Sequence, residues 1–435
     1  MTLREAIAWL DGHVNLEATA GKVHGLSLER MRSLAAVLGD PQRDFPSVHI
    51  TGTNGKGSAA HLIGRLFAAQ GLHAGTYASP HVSSINERIS LAGAPVGDET
   101  LADLLSDVRR AVEAAGIDAS WFEIMTGAAL RCFADAAVDV AVVEVGKLGR
   151  YDATNVVDGQ VAVVTNVGED HTDGGPGWRA AVAWEKAGIV KPGATLVLGE
   201  TDPALREVFG EAGPSRTLLR EEDFACCRND LAVGGRLLDI AAAGRYEDVF
   251  LELHGRHQGD NAALALAACE AFFDAPLAPE SVSEAFAGAG LPGRLEILRR
   301  APLVVVDGAH NPDGASAARL ALDEDFAGAA RTFMVLGMMR ERDPRRIFDE
   351  FGAGGCELLV TTTAPSPRGI PAVELARLAR EAGIRCEAVE DPAAAVAHAT
   401  ALASPEDLVF VSGSLYVAGA ARVAETAPPA AASSR

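Results

Sequence analysis

A chain of 435 residues exceeds what one ordinary hydrophobic core organises, so two domains, or a large one with a smaller companion, are expected. Apolar residues make up 48 %, ample for burial, and a formal charge of -21 argues against a nucleic-acid partner, whose phosphates it would repel. An anionic substrate must then be drawn in by a local patch of lysine and arginine.

Met1 to Gly12 carries Arg4, Glu5 and Asp11 among Leu3, Ile7, Trp9 and Leu10, which reads as an amphipathic helix rather than a signal peptide. The segment Val23-His24-Gly25-Leu26-Ser27 leads into a second helix with Leu28, Met31, Leu34, Ala35 and Leu38 at helical spacing. The apolar run Val48-His49-Ile50 then breaks into Gly52-Thr53-Asn54-Gly55-Lys56-Gly57-Ser58, and a helix reads from Ala59, with Leu62, Ile63, Leu66 and Phe67 on one face. A strand, a glycine loop and a helix N-terminus make a phosphate cradle. The glycines let backbone N–H groups converge, Lys56 brings a mobile cation, Ser58 offers a hydroxyl to Mg2+, and the helix dipole favours the anion, so ATP is the expected occupant. The loop departs from the pattern G-x-x-x-x-G-K-[ST], with Ile50 at the first glycine position and Gly57 between Lys56 and Ser58. The structural alternative is a glycine-rich turn with a solvated lysine.

A short strand, 73–77, is followed by Ser79-Pro80-His81 and Asn86-Glu87-Arg88-Ile89, and Ser120-Trp121-Phe122-Glu123 opens another helix. Val138 to Val145 is a nearly unbroken apolar run, the mark of a strand buried on both faces. Glu144 near its end needs a cation, and Mg2+ beside the ATP phosphates is the economical partner. Val161 to Val164 reads the same way and runs into Thr165-Asn166-Val167-Gly168-Glu169-Asp170-His171. The glycine loop, Glu144 and His171 all lie just past the carboxyl ends of apolar strands, where open α/β sheets bind ligands. Leu251 to Leu253 precedes an alanine-rich helix through Cys269, and turn chemistry at Leu291-Pro292-Gly293-Arg294 marks a domain boundary. Beyond it, strand cores at 303–306, 332–336, 358–361 and 408–411 alternate with helical stretches, a smaller Rossmann-like sheet. The six cysteines form no C-x-x-C pair, no apolar stretch is long enough to span a bilayer, and a reducing cytoplasm fits.

Taken together, Gly-Thr-Asn-Gly-Lys-Gly-Ser, Ser-Pro-His, Phe122-Glu123-x-x-Thr126, Gly149-Arg150-Tyr151-Asp152-Ala153-Thr154-Asn155, Glu185-Lys186-Ala187-Gly188-Ile189, His257-Gln258-x-x-Asn261, Asp307-Gly308-Ala309-His310-Asn311-Pro312 and Ser412-Gly413-Ser414 resemble, in order, the motifs of the Mur ligase superfamily. The likeness is to its dihydrofolate synthase/folylpolyglutamate synthase members and runs from about Leu26 to Gly419. It implies a P-loop ATPase domain with a mostly parallel sheet, here 1–292, a Rossmann-like glutamate-ligase domain, 293–424, and a tail, 425–435, expected to be disordered. By the same resemblance Ser79 joins Ser58, Glu144 and His171 as a Mg2+ ligand, Lys186 carries a carbamate, and Asn261 meets adenine or ribose. Arg294 and Asp307 belong with the nucleotide, and His310 with catalysis. Gly25, Phe122, Glu123, Tyr151, Asp152, Ala153 and Ser412 border the substrates. Tyr151 stands where leucine is usual.

The implied reaction is ATP-dependent amide formation. A carboxylate of dihydropteroate or a reduced folate attacks the γ-phosphate, and L-glutamate displaces phosphate from the acyl phosphate, with Lys56, Mg2+ and Arg294 stabilising charge and closure of the C-terminal domain shielding the intermediate. The chain is expected to act as a cytoplasmic monomer. Two rivals remain: a Mur ligase with a non-folate acceptor, and a nucleotide-binding module without catalysis. A peptidoglycan-precursor ligase would carry a further N-terminal domain, and only about fifty residues precede the loop.

Overall fold

The apolar run ahead of the glycine loop is the middle of a sheet. In the computed structural model, which describes residues 1–15, 27–170, 172 and 174–426, it forms Ser47–Thr51 (β1), buried at every position. The other strands of this sheet are Ala74–Tyr77 (β2), Ile89–Leu91 (β3), Ala94–Pro95 (β4), Val140–Glu144 (β5), Gly159–Val164 (β6), Thr195–Leu198 (β7) and Arg216–Leu219 (β8). Their order is β4-β3-β2-β5-β1-β6-β7-β8. Neighbours from β2 to β8 are parallel, and the β3–β4 hairpin adds an antiparallel edge. Ile50 pairs with Glu144 and Thr51 with Val164, so β1, β5 and β6 end side by side.

Helices cover both faces, which is why the central strands read as continuous hydrophobic runs. On one side Lys56–Ala69 packs against His257–Phe273, with the Phe67 and Phe272 rings 5.0 Å apart. On the other, Leu10, Met31, Leu34, Leu105, Ile124 and Phe133 from four helices share a core with Ala141 and Val143 of β5. The N-terminal helix, Leu3–Asp11, is held by a capping box in which Thr2 and Glu5 exchange side-chain bonds to backbone N–H groups. The helix after the glycine loop begins at Lys56, three residues earlier than the apolar periodicity indicates. Gly55, at φ +83°, turns the chain directly into it.

Past β8 the chain builds an antiparallel sheet of Ala225–Ala232 (β9), Gly235–Ala241 (β10) and Arg245–Leu251 (β11). The sequence marks no strand here, because these half-exposed strands carry charged residues in no clean alternation.

The chain divides into two compact units, Met1–Gly290 and Leu291–Arg435. The second holds Glu296–Arg300 (β12), Leu303–Val306 (β13), Thr332–Leu336 (β14), Leu358–Thr361 (β15), Cys386–Ala388 (β16) and Leu408–Ser412 (β17), in the order β12-β13-β17-β14-β15-β16. All its pairings are parallel except β12 with β13. Apolar clusters lie on both faces. The C-terminal tail differs from expectation at its start. The helix Leu415–Thr426 includes residues assigned to the tail, and Glu425 pairs with Arg299 at 2.7 Å. Residues 427–435 lie outside the described residues. No helix among the described residues is long and apolar enough to cross a membrane.

Candidate active site

The glycine loop is shaped by what it touches. Gly52 has φ +153°, and a Cβ there would lie 1.7 Å from Thr165 Oγ1; at Gly55 one would lie 2.5 Å from Asn261 Oδ1. Glycine is required at both places, and the second contact brings Asn261, distant in sequence, to the loop. Asn261 is itself held by a 2.9 Å bond from its Nδ2 to Gln258 Oε1. Lys56 Nζ folds back to donate to the carbonyls of Gly52 (3.1 Å) and Thr53 (3.2 Å). Ser58 is buried in the first helical turn, beside Gly57. Among the described residues no side chain caps that helix, leaving its first N–H groups to an anion.

Two residues absent from the sequence-derived site hold the cradle open. Asn166 Oδ1 accepts from the N–H of Thr53 (3.2 Å) and of Asn54 (3.0 Å), and its Nδ2 donates to Asn54 O at 3.1 Å. Thr165 Oγ1 donates to the same carbonyl at 2.6 Å. Their signal was a polar pair directly after the apolar run of β6, meaningful only once β6 is known to lie beside β1. Asn166→Ala leaves the Asn54 N–H without its acceptor and the Asn54 carbonyl without the Nδ2 donor, while the Thr53 N–H keeps the Asn166 carbonyl at 3.2 Å, a loss of about 1–3 kcal/mol in loop order. The expected result is a KM for ATP raised about tenfold or more with KM for L-glutamate unchanged, measured by initial rates.

Glu144 is 3 % exposed at the end of β5 and accepts the Ser79 N–H at 3.1 Å. Among the described residues no three His, Cys, Asp or Glu side chains cluster as a metal cage. One carboxylate with the Ser58 and Ser79 hydroxyls suits Mg2+, which keeps waters and shares its shell with phosphates rather than sitting in an all-protein cage. His171 lies outside the described residues. Lys186, on the helix Trp178–Ala187, is 2 % exposed. Burial, then repulsion from Lys56, pulls its ammonium down to about 7 against the pull of Asp170. Lys186 therefore stands within electrostatic reach of the phosphate-loop lysine.

On the other side of β5, the Phe122 ring lies over Gly146, where a Cβ would come within 2.5 Å of it, and 6.0 Å from the Tyr77 ring. Asp152 closes the same corner. Its carboxylate accepts from the N–H of Lys147 (2.9 Å) and of Thr154 (3.0 Å) and from Thr154 Oγ1 (2.6 Å), while burial pushes it up from the usual range. Glu123 serves the fold, accepting from the Ser120 N–H at 2.7 Å in the capping box of the helix Trp121–Asp135 and pairing with Arg30 at 3.4 Å. The Ala153 methyl packs into the hydrophobic core, whereas Tyr151 is 40 % exposed. Gly25 lies outside the described residues.

In the second unit, Asp307 follows β13 and accepts from the N–H groups of Leu295 (3.0 Å) and Ala309 (2.8 Å). This fixes the turn that carries His310 and the residue after Arg294, whose Nη1 donates to Gly293 O at 3.2 Å. His310 Nδ1 is 2.9 Å from Gly308 O. A carbonyl only accepts, so Nδ1 carries a proton and donates to it. Ser412, buried at the end of β17, donates from Oγ to Ala309 O at 3.3 Å.

Comparison with known proteins agrees along the chain. Residues 50–269 match the family described as Mur ligase middle domain, and residues 293–415 the Mur ligase, glutamate ligase domain. The chain is 38 % identical over 444 aligned positions to a dihydrofolate synthase/folylpolyglutamate synthase of Mycobacterium tuberculosis, covering 91 % of this chain and 89 % of that one. It matches the structure of Mycobacterium tuberculosis folylpolyglutamate synthase complexed with ADP with a TM-score of 0.91 and 36 % identity, over 99 % of each chain. Against Escherichia coli FolC in complex with DHPP and ADP the TM-score is 0.81 at 29 % identity, over 95 % of this chain and 96 % of that one.

Proposed function

Because this chain belongs to the dihydrofolate synthase/folylpolyglutamate synthase family of Mur ligases, and so is an ATP-dependent ligase joining L-glutamate to a pterin-bearing carboxylate, we propose that its residues divide that reaction as follows. Gly52, Asn54, Gly55, Lys56 and Gly57 cradle the ATP phosphates, and Asn261 meets the nucleoside. Glu144, Ser58 and Ser79, with His171, hold Mg2+, which when bound neutralises charge on the phosphate oxygens. The observation that carries this reading is the placement of Glu144 in register with Ile50, one strand from the loop, with Lys186 answering electrostatically to Lys56.

The substrate carboxylate attacks the γ-phosphorus, ADP leaves, and an acyl phosphate forms. Charge grows on the transferred oxygens, where Lys56 acts without covalent chemistry, and the family resemblance assigns Arg294 and Asp307 to the nucleotide. The amine of L-glutamate then attacks the acyl carbon and phosphate departs. The nitrogen must lose a proton, and His310, its ring oriented by the Nδ1 bond to Gly308 O, is the base assigned to it; Ser412 holds the turn on which that ring stands. Phe122, Asp152 and the Tyr151 region receive the rings, dihydropteroate first and the reduced folate second. The chain works as a monomer and in the cytoplasm, the latter supported by six free thiols.

The test is ADP release by the purified protein with L-glutamate and each pterin in turn. Release that needs both substrates is expected; if neither dihydropteroate nor a reduced folate supports it, the acceptor is not a folate and only the broader ligase chemistry stands. Tyr151→Leu widens an exposed wall and should raise kcat/KM for the reduced folate relative to dihydropteroate, by at most about tenfold. An unchanged ratio in the same assay removes Tyr151 from the specificity wall.

A further inference from the structure

β1 carries the phosphate loop at its end, and two of its side chains also hold the segment 147–154. Thr51 Oγ1 donates to Leu148 O, and two residues earlier, on the same face by strand alternation, His49 Nε2 lies 2.9 Å from Thr154 Oγ1. His49 is fully buried, and nothing assigned above uses it. The protons on this chain of contacts can be counted. Thr154 has one hydroxyl proton, directed at Asp152 Oδ1 over 2.6 Å, and Asp152 already accepts the N–H groups of Thr154 and Lys147. The hydroxyl can therefore only accept from His49, which puts the imidazole proton on Nε2. Nδ1 is buried and meets no polar partner among the described residues, a position tolerable for a lone pair and costly for an N–H. The ring is neutral: burial, reinforced by Lys191, holds it at about 3.

We propose that His49 is a positioning residue for substrate recognition, using its Nε2–H to commit the Thr154 hydroxyl proton to Asp152 Oδ1 and so to hold Oδ2 on the Gly146–Phe122 side, where the pterin-bearing substrate binds. This rests on the assignment of Asp152 to that substrate. The relay also explains why a histidine occupies a strand otherwise built to be apolar: its polar atom is spent on a segment remote in sequence, not on solvent.

The experiment is steady-state kinetics with dihydropteroate varied at saturating ATP and L-glutamate, then with ATP varied. His49→Leu and Thr154→Val should each raise KM for dihydropteroate about tenfold with KM for ATP unchanged. The double variant should cost no more than either alone, and His49→Gln and Thr154→Ser, which keep the donor and the hydroxyl, should recover most of the loss. Thr154→Val, which preserves shape, makes the test if His49→Leu does not fold. The proposal is overturned if both KM values rise together, if the two losses multiply, or if the conservative variants are as impaired as the deletions. Asp152→Ala separates the two levels. A normal KM for dihydropteroate in that variant removes Asp152 from the substrate site and the proposal with it, whereas a raised one beside normal His49 and Thr154 variants overturns the relay alone.

Discussion

Lys56→Ala is expected to lower kcat for ADP release by about 10³-fold or more while leaving the protein folded, because it removes a cation placed for the transferred phosphoryl group. The ammonium donates to the carbonyls of Gly52 and Thr53, so the variant loses two loop bonds and no core packing. Its effect on stability should stay near 1 kcal/mol, read by thermal denaturation. A second consequence separates a phosphate cation from a solvated one. Lys56 is one of the charges that hold Lys186 down, so its removal should raise the pKa of Lys186 above about 7. Wild-type turnover in Lys56→Ala would end the assignment of the glycine loop to ATP.

Lys186 should carry a carbamate in the active protein. The neutral amine attacks the carbon of CO2, forms the N–C bond and releases one proton, which requires an amine that is unprotonated near neutral pH. With its pKa at about 7, against 10.5 for an ordinary lysine, the amine supplies that form in quantity. The same depression has a sign for stability. Below pH 7 the lysine is protonated in both folded and unfolded states and its full burial penalty is present. Between pH 7 and about 10.5 the unfolded chain binds more protons, so the penalty is relieved as pH rises and returns as pH falls. Lys186→Met, which fills the same space without a charge, should therefore raise Tm by several degrees at pH 6–7 in bicarbonate-depleted buffer, a gain on the order of a few kcal/mol that shrinks toward pH 10. Turnover should nevertheless fall about 10²-fold or more. Lys186→Ala should fall as far and recover in part with small carboxylates such as acetate, which occupy the place of the carbamate. Crystallographic density ending in a plain amine, with full activity in bicarbonate-depleted buffer, would overturn the carbamate.

Read locally, the sequence determined the central strands, because a parallel strand covered on both faces must be apolar along its length, as in 140–144 and 161–164. It determined the cradle as well, since glycine, lysine and serine between a strand and a helix have few other uses, and it located Glu144 by the anomaly of a carboxylate at the end of a buried run. Tertiary structure alone decided what these residues meet. Asn166 reaches the loop because β6 lies beside β1, Asn261 because its helix packs on the helix that follows the loop, and Lys186 comes under the influence of Lys56 from a helix remote in sequence. The capping role of Glu123 was within reach of the sequence, three residues after Ser120, but its burial beside Arg30 was not. The antiparallel sheet of 225–251 left no local mark, because its strands are half exposed and interleave charged with apolar positions. Periodicity records which face of an element is buried; strand order and crossovers decide which distant polar groups meet, and those partners impose no spacing on the chain around them.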